Sequence, residues 1–337
     1  MHEMKNILII ETAFIGDAIL SLALAEELKR HFPSSRISIL VRPEASELLK
    51  YSPSLDKVFS YDKYGSEKGI RAIEEKAKEL NREGFDTIFA IHESKRTAAL
   101  LRYLSAAQKI GFSTAYNLKG VITTSVYPTF ETAKTKKILS LLSFLGIEIN
   151  YEMLPKLTVP PALTPKEILR VENLVTIAPG SAWETKKWPW AYYAEVGKKL
   201  IGEGKIVAII GGRADAETAH KIENSIDDKR VINFAGKLTL LESASVISRS
   251  KLLISNDSSP VHIATAVGTR SVVLFGPTVP AFGFAPPPVL GRVVELEGLW
   301  CRPCTSHGSR ECPTHTHECM KGILPDTVFH LSNELLA

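Results

Sequence analysis

Several features that would narrow the function quickly are missing from these 337 residues. No apolar run approaches the roughly 20 residues of a membrane-spanning helix. No N-terminal stretch joins a basic region, an apolar core and a small-residue cleavage site, so no secretory leader is expected. No G-x-G-x-x-G follows a strand-like run and no P-loop occurs, and Gly211-Gly212-Arg213 offers only a Gly-Gly turn. A nicotinamide-type dinucleotide site therefore lacks support. The formal net charge is only +4, too small by itself to imply nucleic acid. No cysteine precedes Cys301, and no short-period repeat or low-complexity tract appears. What remains is 45% hydrophobic and 23% charged, an ordinary globular composition with length enough for two cores. The expected compartment is the cytoplasm, with membrane contact at most peripheral.

Strand-like apolar runs alternate with helix-like segments along the whole chain. Ile7–Ile10, Ile37–Val41, Thr87–Ile91 and Lys109–Phe112 occupy the first half. Val175–Ala178, Ile206–Ile210, Val231–Phe234, Leu252–Ser255 and Val272–Phe275 occupy the second. Between them lie helical patterns such as Ile19–His31, Ile70–Glu83, Ala191–Ile201, Ala214–Ile226 and Leu240–Ser248. This alternation predicts α/β structure with parallel sheets and right-handed crossovers. Two series predict two Rossmann-like domains, 1–158 and 166–337, joined by the Pro-rich Leu154–Pro165, with ligands in the cleft between the sheets' C-terminal edges. The last helix is read as packing back on the first domain.

Two turns carry the chemistry. After Leu252-Leu253-Ile254 come Asn256-Asp257-Ser258-Ser259-Pro260, small polar residues where a helix closed by Gly268 begins. Pro260 suits a first-turn position, and the free N–H groups and dipole there suit a phosphate. The competing reading is a plain helix cap by Asp257 or Ser258. The second turn, Pro179-Gly180-Ser181, ends another strand and precedes Lys186-Lys187-Trp188-Pro189. Gly allows close approach, a hydroxyl donates and an ammonium balances the charge of a diphosphate. Taken singly, the lysines also read as solvated surface, and Trp188 and Trp190 as packing.

With the N-terminal ILIIETAFIGDAILSLALAEELKRHFP, the motifs PGS…KKWP and SNDSSPVHIATAVGT…VLFGPT occur in one order along nearly the whole chain. So combined, the sequence resembles the ADP-heptose–lipopolysaccharide heptosyltransferases, glycosyltransferase family nine, of the heptosyltransferase II type. Ala23 stands where many members have proline, but the Gly16-Asp17 pair is intact. The resemblance implies a GT-B architecture of two Rossmann-like domains facing a cleft. It also implies an inverting, metal-independent enzyme that uses ADP-heptose and a lipopolysaccharide inner-core acceptor.

Asp17, after the Gly turn, is the candidate base; its alternative is a cap for the following helix. Ser181, Lys186 and the N–H groups near Ser258 and Ser259 form the candidate leaving-group set, able to replace a divalent cation. Asp257 is expected to orient Lys186 or its own turn. His262 is either a diphosphate contact or a packed histidine. By resemblance Glu217 meets the ribose and Leu238 the adenine; Glu217 alone reads as a surface partner of Lys221. Asp227-Asp228 beside Lys229 and Arg230 reads as a solvated charge cluster.

Between Lys95 and Lys137 the basic residues Lys95, Arg96, Arg102, Lys109, Lys119, Lys134, Lys136 and Lys137 stand against Glu131 alone. Such a face suits a phosphorylated, acidic glycolipid (a lipid A–Kdo core) at the inner membrane's cytoplasmic surface, or is merely solvated. All four cysteines fall in Cys301-x2-Cys304-x7-Cys312-x6-Cys319, among His307, His315 and His317. This spacing points to a structural tetrahedral Zn²⁺ or Fe–S site, to reduced thiols or to adventitious disulfides. No cofactor is required by the expected chemistry. A nucleotide-sugar epimerase, or a zinc-stabilised nucleic-acid-binding protein using the cysteines and the basic segment, are the alternatives. The last lacks any known module, so nucleic acid is not an expected partner.

Overall fold

The computed structural model describes residues 4–128 and 133–337. The chain divides into two compact units, Met1–Thr158 and Val159–Ala337.

In the first unit the strands are β1 (Asn6–Ile10), β2 (Arg36–Val41), β3 (Lys57–Ser60), β4 (Thr87–Ala90), β5 (Gln108–Phe112) and β6 (Thr124–Val126). The helices are α1 (Ile15–Leu20), α2 (Leu22–His31), α3 (Pro43–Leu49), α4 (Gly69–Asn81), α5 (Lys95–Tyr103) and α6 (Lys134–Leu139). The strands pair in parallel in the order β3-β2-β1-β4-β5-β6. Residues Ile7 to Ile10 are buried throughout, as a central strand covered on both faces requires. The single helix expected over Ile19–His31 is two. Ser21, whose hydroxyl donates to the Ala18 carbonyl at 2.7 Å, separates α1 from α2. A hydroxyl competing for a helix carbonyl commonly bends a helix in this way.

The second unit has β7 (Leu174–Ala178), β8 (Ile206–Ile209), β9 (Val231–Asn233), β10 (Leu252–Asn256), β11 (Arg270–Phe275) and β12 (Gly291–Glu295). Its helices are α7 (Trp190–Gly202), α8 (Ala216–Ile226), α9 (Leu240–Arg249), α10 (Ser259–Val267), α11 (Glu318–Lys321) and α12 (Pro325–Leu336). The parallel order is β12-β11-β10-β7-β8-β9. Counted from its own first strand, this is the arrangement of the first sheet, the 3-2-1-4-5-6 order of Rossmann folds. Val328 and Leu335 of α12 join the core with Val175, Ile254 and Val272, and Arg270 donates to the Leu335 carbonyl. The closing helix is thus seated on its own sheet.

In both sheets the strand order reverses beside the first strand, between β1 and β4 and between β7 and β10. Loops diverge at such a point and leave a crevice at the strands' C-terminal ends. The residues of interest follow these four strands.

Candidate functional site

Beyond β1 the chain places Glu11 and Thr12, then Asp17 as the third residue of α1. Asp17 is therefore inside the first helical turn rather than in a preceding loop. Phe14 occupies the N-cap and no side chain caps the helix. The Asp17 carboxylate pairs instead with Lys134 of α6, at 3.2 Å. Beside it lies a group the sequence did not single out. Glu11 is only 2% exposed, and its Oε1 accepts the Ala13 N–H at 2.9 Å. Burial, reinforced by the charge of Asp17, pushes the Glu11 carboxyl up to about 7.

The floor of this region is polar and tightly connected. His92, after β4, meets Thr12 Oγ1 at 2.9 Å, and the buried Lys63 ammonium reaches the same hydroxyl at 3.4 Å. Arg96 donates to the Lys63 carbonyl. Burial and the nearby Lys63 lower His92 to about 4, so it is a neutral hydrogen-bonding group at physiological pH. Burial and Arg42 likewise lower Lys63. Buried ionisable groups with shifted pKa values gather at functional sites and in structural ion-pair networks alike, and this set stands at the sheet's switch point.

Glu11 also gives a stability prediction. Its carboxyl titrates near 4.5 when unfolded and near 7 when folded, so the folded chain binds the extra proton between those values. The contribution of Glu11 to stability is highest below 4.5, falls as pH rises through that window, and levels off above 7. Ionised Glu11 then costs on the order of 3 kcal/mol. Glu11→Gln is expected to be more stable than wild type at pH 8, with most of the gap gone at pH 5. Denaturant melts at both pH values check this, and an equal gap at both would show that Glu11 is not the titrating group.

In the second unit, Lys186 and Asp257 meet. The Lys186 ammonium lies 2.5 Å from Asp257 Oδ2 and 3.2 Å from the Asp257 carbonyl, and Thr278 Oγ1 donates to the same Oδ2 at 2.8 Å. Asp257 follows β10 and caps nothing. Ser258 is the N-cap of α10, yet makes no side-chain capping bond; its hydroxyl is directed to the Asn256 carbonyl at 3.3 Å. The first-turn N–H groups beside Ser259 and Pro260 are thus not claimed by a side-chain cap. Ser181 accepts the Trp183 N–H at 3.2 Å and shapes its own turn.

Asn256, not singled out from sequence, ties these turns together. Its amide donates to the Pro179 carbonyl at 2.8 Å, and its oxygen accepts from Trp188 N–H at 3.1 Å and Tyr193 Oη at 3.0 Å. Trp188 is a packing residue, stacked edge-on against Tyr193 and donating to the Ile323 carbonyl at 3.0 Å. Gly180 also lies against the Asp215 side chain. A Cβ there would collide with the Asp215 carboxylate, whose Oδ2 accepts Gly212 N–H at 2.9 Å.

Glu217, in the first turn of α8, is exposed and pairs with Lys221 at 2.6 Å, the surface pairing its spacing allows. Leu238 is half-buried in the turn after β9. His262 is buried, its ring edge-on to Phe284 at 6.0 Å. Asp228 is held to about 2 by hydrogen bonds from Arg230. Lys187 pairs with Glu184.

The basic segment is not one uniform face. Lys95, Arg102 and Lys119 are exposed, whereas Lys136 pairs with Glu152 at 2.6 Å and Lys109 donates to the Leu101 carbonyl at 2.8 Å. Glu131 lies outside the described residues.

All four cysteines are free thiols, and among the described residues no three His, Cys, Asp or Glu side chains are placed to hold a metal ion. The four thiols lie near one another and make local contacts. Cys304 donates to the Cys301 carbonyl at 3.0 Å, and Cys312 accepts the His317 N–H at 3.4 Å. Burial, with the nearby thiols, pushes Cys319 up to about 11.

Both units therefore place charged side chains at the switch point of a Rossmann-like sheet, and known proteins resemble the chain in sequence and in fold. Lipooligosaccharide heptosyltransferase 2 of Haemophilus influenzae is 24% identical, over 98% of this chain and 99% of its own. The structure of a family 9 glycosyl transferase from Veillonella parvula superposes with a TM-score of 0.85 at 22% identity, over 98% of this chain and 97% of that one. The ADP-heptose lipopolysaccharide heptosyltransferase II of E. coli gives 0.81 at 22%, over 99% and 98%. The sequence profile of "Glycosyltransferase family 9 (heptosyltransferase)" matches residues 73–315, from within α4 of the first unit to beyond the Lys186 and Asp257 turns of the second. With most of its length matched and its fold shared, the chain belongs to glycosyltransferase family 9, the heptosyltransferases.

Proposed function

We propose that this protein moves heptose from ADP-heptose to the inner core of a lipopolysaccharide, with inversion, as an enzyme of the heptosyltransferase II type. The observation that carries the reading is the Lys186–Asp257 pair beside the uncapped start of α10, a cation and free N–H groups suited to a departing diphosphate. The acceptor hydroxyl oxygen forms the new bond to the anomeric carbon while Asp17 takes its proton. The bond from that carbon to the diphosphate breaks, and ADP leaves with the electron pair. Lys186, Ser181 and the N–H groups at Ser258 and Ser259 hold the negative charge that builds there. Glu217 accepts the ribose hydroxyls, exchanging its exposed Lys221 pair for them, and the Leu238 backbone meets the adenine. His262, buried, supports the start of α10.

Lys95, Arg102 and Lys119 give the first unit exposed positive charge for an acidic glycolipid at the cytoplasmic face of the inner membrane. Among the described residues no helix is long and apolar enough to cross a membrane. Mass spectrometry after offering ADP-heptose with and without core-truncated lipopolysaccharide tests the proposal. A heptose mass gain that depends on the acceptor is expected. Sugar isomerisation without acceptor would replace the reading by an epimerase.

If the protein's own donors neutralise the leaving group, EDTA is expected to leave initial rates unchanged. Immediate loss of rate in folded enzyme, rescued by Mg²⁺ or Mn²⁺, would contradict this and return Asp227-Asp228 to consideration as ligands.

A further inference from the structure

The segment that holds the cysteines is packed against the Lys186 turn by a set of directed contacts. Thr185, buried, donates its N–H to the Ser309 carbonyl at 3.2 Å, and its hydroxyl meets the same carbonyl at 3.0 Å. In return Ser309 N–H donates to Thr185 Oγ1 at 2.9 Å. His317 Nε2 donates to the Thr185 carbonyl at 2.8 Å. The rings of Trp183 and His307 lie 4.8 Å apart. Gly308, with φ +99°, sits so close that a Cβ would stand 2.8 Å from Trp183 Cβ and 3.2 Å from Lys186 Cγ.

The other end of the segment grips the Asp257 side. Arg302 donates to the Gly276 carbonyl at 2.5 Å and the Thr278 carbonyl at 2.9 Å, and Cys304 N–H donates to Pro277 at 3.0 Å. Thr278 is the residue whose hydroxyl holds Asp257. One segment thus fixes both the turn that carries the ammonium and the turn that carries its carboxylate. A lysine side chain has about 2 kcal/mol of rotamer entropy, so placing its charge precludes a loose backbone beneath it.

We infer that residues 302–317 are a brace for the leaving-group site, with Thr185 and His317 as positioning residues that set where the Lys186 ammonium stands. This rests on the proposed role of Lys186 toward the diphosphate. A brace acts on phosphate recognition and spares the nucleoside, which separates it from a general packing role.

Thr185→Val keeps the shape but removes the hydroxyl, and His317→Leu removes the N–H donor. Each is expected to weaken ADP roughly 3- to 10-fold, the scale of one or two lost hydrogen bonds acting at a distance, with adenosine within twofold. Thr185→Ser and His317→Gln retain a donor and are expected to restore most of the ADP affinity. Calorimetric titration of folded protein with ADP and with adenosine reads both. His317 is only half-buried, so its variants keep the test available if Thr185→Val does not fold. Unchanged ADP affinity in Thr185→Val and His317→Leu, while Lys186→Ala still loses ADP, would overturn the brace. Equal loss for ADP and adenosine would reduce it to packing. Failure of Lys186→Ala to discriminate the two ligands would instead remove the reading beneath it.

Discussion

Asp17→Asn is expected to lower turnover about 10²–10⁴-fold, the usual effect of deleting a general base. An amide is nearly isosteric with the carboxylate and cannot take the acceptor proton. ADP affinity is expected to stay unchanged, because the residues proposed to bind it all belong to the second unit. The substitution also removes the partner of Lys134, but both side chains are partly solvated, so the effect on stability should be small. Steady-state rates at saturating donor, with calorimetry for ADP and a melt for folding, give the three readouts. Turnover within a few-fold of wild type in folded protein would remove Asp17 from the role. Glu11, also a carboxyl, would then be the next candidate at the same sheet edge.

Lys186→Ala is expected to weaken ADP about 10- to 100-fold, the range for a hydrogen bond to a charged group, and adenosine hardly at all. The structure adds a complication. Without the ammonium, the Asp257 carboxylate keeps the Thr278 hydroxyl but loses its counter-charge in a buried place. Orphaning one member of a buried pair can cost on the order of 3 kcal/mol in stability. The double variant Lys186→Ala/Asp257→Asn removes the stranded charge and should recover the fold without recovering ADP binding. Recovery of ADP affinity in the double variant would mean that Lys186 serves Asp257 alone. An effect confined to Lys187→Ala would show that the other lysine of the pair faces phosphate.

The fold was largely legible because its central strands carry apolar runs between turn residues, as at Ile7–Ile10. The strands not anticipated, β3, β6 and β12, sit at sheet edges, where one partner is missing and polar residues such as Lys57, Thr124 and Arg292 break the apolar run. The break at Ser21 was hidden because the buried positions on either side, Ile19, Leu20 and Leu22, read as one helical stripe. The turns after β7 and β10 were visible as small polar residues before a helix. Their wiring was not, since Lys186 and Asp257, Asn256 and Pro179, or Lys134 and Asp17 are brought together only by tertiary packing. Glu11 was missed for a related reason. A charged residue directly after a strand reads as the start of a solvated loop, and only the packing around it shows that it is buried.

That the two sheets have the same strand order has a consequence for how such an enzyme can diversify. The group proposed to receive a hydroxyl proton follows β1, and those proposed to release a diphosphate follow β7 and β10. Each set rests on a hydrophobic core of its own. Loops on the first sheet, proposed to meet the acceptor, can therefore be rewritten without repacking the core beneath the turns proposed to hold the donor. A lineage built this way can keep its nucleotide and sugar while it exchanges the surface it decorates.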